Sequence, residues 1–259
     1  MSVQVAVVQQ DGNPGQVEVN RDKALGFARE ALREGADIIV FPEEMLIGYV
    51  ENLRELAEPV NGPTTLAFAK LLAGSSTLVL YGLTERDDDL FYIAATLVGA
   101  DGVMANYRKT HLWWKASGLR HEPTFYTPGE RLVTFDLGGY KAGIMICYDG
   151  DFPEMTRAYA NRGCEMLIWP NNRGDRGHAE VKPLAVGNSM IIAASCVSGS
   201  DETGEICRGG SNITSHDGTL LAEIWDAEGV IYAEVHPEEV AEHRRQNPSF
   251  SGRRPELYE

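Results

Sequence analysis

Short apolar runs alternate with amphipathic stretches along the first third of the chain. Residues 3–8 read as a strand buried on both faces. Asn20 stands where a helix cap belongs. Ala24, Leu25, Phe27, Ala28, Ala31 and Leu32 then recur at helical spacing to about Glu34, and Gly35 stops the helix. A second short buried strand, residues 37–41, runs into Pro42-Glu43-Glu44, and the spacing predicts another helix over 64–73. Strand-like runs follow at 78–83, 91–98 and 103–108, joined by Asp87-Asp88-Asp89 and Gly99-Ala100-Asp101-Gly102 turns. Residues 110–130 show no periodicity, and a loop of that length within a compact fold is often functional.

The second half repeats the alternation. A hairpin turning at Gly138-Gly139 joins strands 133–137 and 141–146, and a helix is predicted over 153–162 and closed by Gly163. Residues 166–169 form a strand, and a helix spans 179–189 with Pro183 awkwardly inside it. Strands are expected at 191–195, 211–214, 219–225 and 230–235, then a last helix over 237–245. Strands that alternate with helices and then give way to hairpins make mixed sheets covered by helices, an α/β protein. No Pro-, Gly- or Ser-rich linker divides the 259 residues, so one domain over 1–259 is expected, its two halves related in layout.

Composition narrows the partners. Hydrophobic residues make up 43% of the chain, enough for a sizeable core. The net charge of −15 argues against nucleic acid or an anionic membrane as partner, since both call for a basic patch. The four cysteines, Cys147, Cys164, Cys196 and Cys207, have neither C-x-x-C spacing nor histidines at zinc-site intervals, so no metal site is expected. A reducing, cytoplasmic setting is the expectation, as the first residues read as a strand rather than a signal peptide.

Three strand ends carry unusual chemistry. Glu43 follows a buried strand, Lys109 ends another, and Cys147 ends the apolar run Ile144-Met145-Ile146 just before a helix start. A thiol there is lowered by the helix dipole, yet a cysteine is also a common small core residue. Likewise, Glu43 and Lys109 taken singly read as solvated charges. Strand ends converge in an α/β fold, however, and the three types make one coherent set. The cysteine attacks a carbonyl or nitrile carbon, the carboxylate takes the thiol proton, and the ammonium steadies the oxyanion.

Phe41-Pro42-Glu43, Tyr107-Arg108-Lys109-Thr110-His111-Leu112 and Ile146-Cys147-Tyr148-Asp149-x-x-Phe152-Pro153-Glu154 resemble the three signature motifs of the nitrilase superfamily of carbon–nitrogen hydrolases, in order and spacing. The resemblance runs nearly end to end, to Arg253-Arg254-Pro255-Glu256-Leu257-Tyr258. It implies a four-layer α-β-β-α sandwich, with Glu43 as base, Lys109, and Cys147 as nucleophile. Glu44 would point to the other face or cap local structure. A further glutamate that positions the lysine is carried onto Glu122, with Glu130 also available. The backbone N–H of Tyr148 would be an oxyanion donor, and no cofactor is implied. Gly187-Asn188 and Cys196-Val197-Ser198-Gly199 depart from the family pattern: the first removes a glutamate that makes a structural contact in the family, and the second alters the pocket rim or dimer packing, not the trio.

True nitrilases usually follow the cysteine with Trp-Glu, and Tyr148-Asp149 is closer to the amidase branches. The expected reaction is hydrolysis of a small amide to acid and ammonia through a cysteine thioester, with N-carbamoyl amino acid hydrolysis as the alternative. A nitrilase or a silent binding protein on the same fold ranks lower. Tyr148, Trp113, Asn171 and Asn172 are the candidate substrate contacts, although aromatics of this kind also serve cores and interfaces. Arg173, with Arg176, is placed either to hold a substrate carboxylate or to lie in solvent. Family members commonly dimerise through the helices behind the cysteine and through their tails. A homo-oligomer is therefore expected, with residues 247–259 at the interface.

Overall fold

The computed structural model describes residues 2–172, 177–201, 204, 206–247 and 252–257. Twelve strands form two six-stranded sheets. The first runs in the order β12 (Gly229–Val235), β1 (Val3–Asp11), β2 (Ile38–Val40), β3 (Leu78–Asp87), β4 (Leu90–Gly99), β5 (Gly102–Arg108). The second runs β6 (Thr134–Leu137), β7 (Tyr140–Ile144), β8 (Met166–Asn171), β9 (Ile191–Ser200), β10 (Ile206–Thr214), β11 (Leu220–Trp225). Read across, each sheet has the same pairing pattern: antiparallel, parallel, parallel, antiparallel, antiparallel. The two halves are thus structural counterparts, as their alternation of elements suggests. A short parallel pairing of Gln10 with Val197 and Asp11 with Ser198 stitches the sheets together.

The helices α1 (Val17–Arg33), α2 (Leu53–Leu56), α3 (Pro63–Leu71), α4 (Pro153–Asn161), α5 (His178–Asn188) and α6 (Pro237–Gln246) cover the outer faces, giving an α-β-β-α sandwich. Parallel strands buried on both faces explain the continuous apolar runs. Val5 to Val8, Ile38 to Phe41 and Met166 to Ile168 are all inaccessible to solvent.

Several boundaries differ from the periodicity. Strand β1 reaches Asp11 because Gln9 and Gln10 are buried at the seam between the sheets, where Gln9 accepts from Ser211. Helix α1 begins at Val17, and Asn20 lies inside its first turn rather than capping it. The buried Asn20 amide donates instead to the carbonyls of Asn13 and Leu46, tying the helix start to the segment after β2. Strands β3, β8, β9 and β10 extend beyond their apolar stretches, since sheet hydrogen bonds carry polar residues along. Strand β7 ends at Ile144 rather than Ile146. Pro183 is accommodated within α5, as predicted, and Ser189 closes that helix in the left-handed conformation.

Gly82 on β3 is where the fold admits the site. A Cβ there would lie 2.2 Å from the Pro42 carbonyl oxygen and 2.7 Å from the Glu43 Cα. Those are backbone atoms, with no side-chain freedom to yield. Gly82→Ala is therefore expected to lower stability by about 1–3 kcal/mol, the usual cost of overpacking, as measured by urea unfolding.

Candidate active site

Glu43, Lys109, Glu122 and Cys147 come from four separate segments and meet in the interior. Chain direction explains Lys109. On β5 the side chains alternate, so Arg108 faces outward over the Tyr92 ring (3.7 Å) and pairs with Glu85 (2.6 and 2.9 Å). Lys109 then turns inward and is completely buried. Its Nζ donates to Glu43 Oε1 at 2.8 Å and to Glu122 Oε1 at 2.7 Å. Two ion pairs offset the cost of removing an ammonium from water. Burial pulls the lysine pKa down, but Glu43, Cys147 and Glu122 outweigh it and hold Lys109 above its ordinary value.

Both carboxylates have further partners. Glu43 Oε2 accepts from the backbone N–H of Asn172 (2.8 Å). Glu122 Oε1 accepts from the Tyr49 hydroxyl (2.7 Å), and its Oε2 from the backbone N–H of Trp113 (2.6 Å). Burial raises the Glu122 pKa and Lys109 opposes it. Tyr49 is pushed well above the ordinary phenol value, by burial first and then by Glu122 and Glu43, so it remains a hydrogen-bond donor. Glu130 is exposed, which leaves Glu122 as the glutamate at the lysine.

Cys147 does not sit at a helix N-terminus. It opens a single 3-10 turn, Cys147–Asp151, and α4 starts only at Pro153. Its φ of +43° is uncommon for a residue with a side chain, a strain of order 1–3 kcal/mol. Two contacts hold that conformation. Trp169 Nε1 donates to the Cys147 carbonyl (3.1 Å). Asp149, fully buried, receives the N–H of Ile146 and the Tyr107 hydroxyl on Oδ2, and Thr110 Oγ1 and the backbone N–H of His111 on Oδ1, all at 2.7–3.0 Å. His111 Nδ1 lies 2.9 Å from the same Oδ1, and its ring stacks on Phe152 at 3.8 Å. Asp149 thereby ties the cysteine turn to the segment that carries Lys109. Its proximity to Cys147 in sequence was a signal, but its partners were not readable from spacing.

The predicted substrate contacts divide. Tyr148, next to Cys147, is buried against Trp113 in an edge-on pair at 4.8 Å. Asn172 contributes through its backbone. Asn171 is buried and turns its amide nitrogen back to the Trp169 carbonyl (2.7 Å). Arg173 and Arg176 lie outside the described residues. Arg120, which the sequence did not single out, lies 5.5 Å from the Tyr49 ring and pairs with Asp201 at 2.9 Å.

Glu44 corrects the sequence reading. It does not face away: with a φ of +52° in the turn after β2, its carboxyl is buried beside the Glu43 segment with Thr84 Oγ1 donating to its Oε2. Among the described residues no group of three or more histidine, cysteine or acidic side chains is arranged to hold a metal ion. None of their helices is long and apolar enough to cross a membrane.

A thiol on a strained turn beside a buried carboxylate–ammonium–carboxylate cluster is equipment for nucleophilic attack on an acyl or related carbon. Comparison with known proteins agrees. The carbon-nitrogen hydrolase family model matches residues 4–245. Omega-amidase NIT2 from Homo sapiens is 30% identical over 250 residues, 92% of this chain and 91% of that protein. The (R)-stereoselective amidase of a Pseudomonas species is 29% identical over 227 residues, covering 85% and 80%. Among solved structures, a CN-hydrolase superfamily protein from Xanthomonas campestris superposes with a TM-score of 0.88 at 21% identity over 98% of both chains. The chain belongs to the carbon-nitrogen hydrolase family. It is an enzyme of the carbon–nitrogen hydrolase type.

Asp149→Asn would set an amide N–H against one or more of the donors above. It is expected to lower stability by about 3 kcal/mol, the cost of breaking a buried charged network, as read by guanidinium unfolding.

Proposed function

We propose that the protein hydrolyses a small amide to a carboxylic acid and ammonia through a thioester on Cys147. The observation that carries this is the Lys109 ammonium clamped between two buried carboxylates, Glu43 and Glu122. Glu43 accepts the thiol proton as Cys147 Sγ attacks the amide carbon. The oxyanion that forms is met by Lys109 and the backbone N–H of Tyr148. Glu43 passes the proton to the departing nitrogen, ammonia leaves, and Glu43 then takes a proton from the water that cleaves the thioester. Glu122 and Tyr49 keep the ammonium aimed while Glu43 changes charge. The names of the relatives, an omega-amidase and an (R)-stereoselective amidase, favour an amide as substrate. In a Glu-to-Gln mutant of one amidase of the same fold, that of Nesterenkonia sp. AN1, the acetamide moiety of fluoroacetamide is covalently added at the active-site cysteine.

A screen of small amides, ω-amides and N-carbamoyl amino acids for ammonia release tests the reading. Ammonia from amides is the expected result, and release from carbamoyl compounds alone would replace it with the N-carbamoyl alternative. Glu43→Gln should reduce kcat by about 10²–10⁴-fold, the loss of a general base. Iodoacetamide should alkylate Cys147 much faster than the buried Cys164 or Cys207, and equal rates would sink the nucleophile assignment.

The assembly proposed is a homodimer or a multiple of one. Glu154, Arg157, Leu184 and Gly187 of α4 and α5 line an open groove behind the cysteine turn, and Arg253 and Pro255 of the tail complete it. Light scattering at micromolar protein should give at least twice the 28.4 kDa chain mass, and a monomer would refute the assembly.

A further inference from the structure

The site holds a third buried carboxyl that the mechanism above does not use. Glu43, Glu122 and Asp149 each receive donors on both oxygens: lysine, hydroxyl or backbone N–H. Glu44 is as deeply buried as they are and receives one, from Thr84. Its Oε1 is shielded from solvent and has no hydrogen-bond partner among the described residues. A carboxylate in that position would leave half its charge unsolvated, whereas a carboxylic acid leaves a neutral group, whose burial costs far less than that of a charge.

The surrounding charges point the same way. The groups that act on Glu44 are the anions Glu43 and Glu122 and the cation Lys109. That ammonium is already shared by two carboxylates. The remaining titratable neighbours, the Tyr49 and Tyr126 phenols, are held well above their ordinary value by burial and stay neutral. A further negative charge here would face two like charges and a cation already committed. We propose that Glu44 is a positioning residue that works in its acid form, leaving Lys109 to Glu43 and Glu122 alone, and that its deprotonation disables the site. Burial, with Glu43 and Glu122 adding to it and Thr84 opposing, places its pKa at about 8. The enzyme therefore carries an internal alkaline limit. Above that pH the cluster gains a further negative charge, which disfavours a thiolate at Cys147 and draws Lys109 away from the oxyanion position.

The proposal rests on the hydrolase reading, and its test separates the two. Cys147 alkylation by iodoacetamide, mapped by mass spectrometry, and ammonia release are followed from pH 6 to 10 in wild type and Glu44→Gln. Gln preserves the shape of the acid and cannot ionise. The ratio of the rate at pH 9 to that at pH 7 should be about tenfold higher in the variant, the loss of the protonated fraction that a group with a pKa near 8 imposes on wild type. Equal ratios in the two proteins overturn the proposal. Pronounced pH-dependent alkylation without ammonia from any amide would instead sink the amidase reading and leave Glu44 its role.

Melting temperatures give a readout free of catalysis. A carboxyl raised on folding contributes stability that is whole below its unfolded value and is lost as pH rises through the folded one. The melting temperature of Glu44→Gln minus that of wild type should therefore climb from about pH 4.5 to about pH 8 and level off above it. A flat difference overturns the proposal. Should Glu44→Gln fail to fold, Thr84→Val removes the donor that holds the pKa down. It should shift the alkaline limb of alkylation to higher pH, and an unmoved limb refutes the assignment.

Discussion

One buried ammonium organises this molecule's interior. Lys109 has no access to solvent, and the pair of carboxylates within 2.8 Å of it offsets that burial. Neither carboxylate is local to the lysine in space by accident of sequence. Glu43 is brought by the end of β2 and Glu122 by a short turn in the irregular stretch after β5. Each therefore has to be delivered by a backbone that cannot shift, since a buried charge left without its partner costs several kcal/mol. The steric closeness of β3 to the Pro42-Glu43-Glu44 segment at Gly82 and the backbone bond from Asn172 to Glu43 are the devices that deliver it.

The cysteine is held by different means. Its turn is conformationally uncommon, with a φ of +43° at Cys147. Asp149 supplies the restraint by gathering donors from the turn itself and from Tyr107, Thr110 and His111 around the lysine. Cys147 and the ammonium are consequently one mechanical unit. Any motion of the segment carrying Lys109 is transmitted to Cys147 through that carboxylate. This arrangement suits the proposed reaction, in which the oxyanion forms between the two, because positional errors of an ångström at such a site are expensive.

Charge within the cluster is rationed. Two carboxylates already outnumber the ammonium, so the site carries one net negative charge before any thiolate forms. The fold tolerates this by giving each anion two or more donors. Glu44 and Tyr126 sit beside this cluster without adding to its charge, and the site's electrostatics depend on their protons as much as on the carboxylates.

The chain's pattern of apolar runs was sufficient for the α/β class, for the related halves, and for most elements, because strands buried on both faces and amphipathic helices leave strong periodic traces. Glu43, Lys109 and Cys147 were legible because each ends an apolar run in a motif of specific composition. The limits appear where a residue's role depends on what it meets in space. Asn20 has the chemistry of a helix cap but is used to bridge two carbonyls; β1 and β10 run past their apolar positions because a neighbouring strand supplies hydrogen bonds. Glu44 was expected to face away or cap local structure, and a positive φ instead buries its carboxyl beside the Glu43 segment. Sequence by itself determined which side chains could do chemistry. Tertiary structure alone decided which of the glutamates near the lysine share its charge, since burial and donor count, set by segments up to 129 residues apart, determine which carboxyl is ionised.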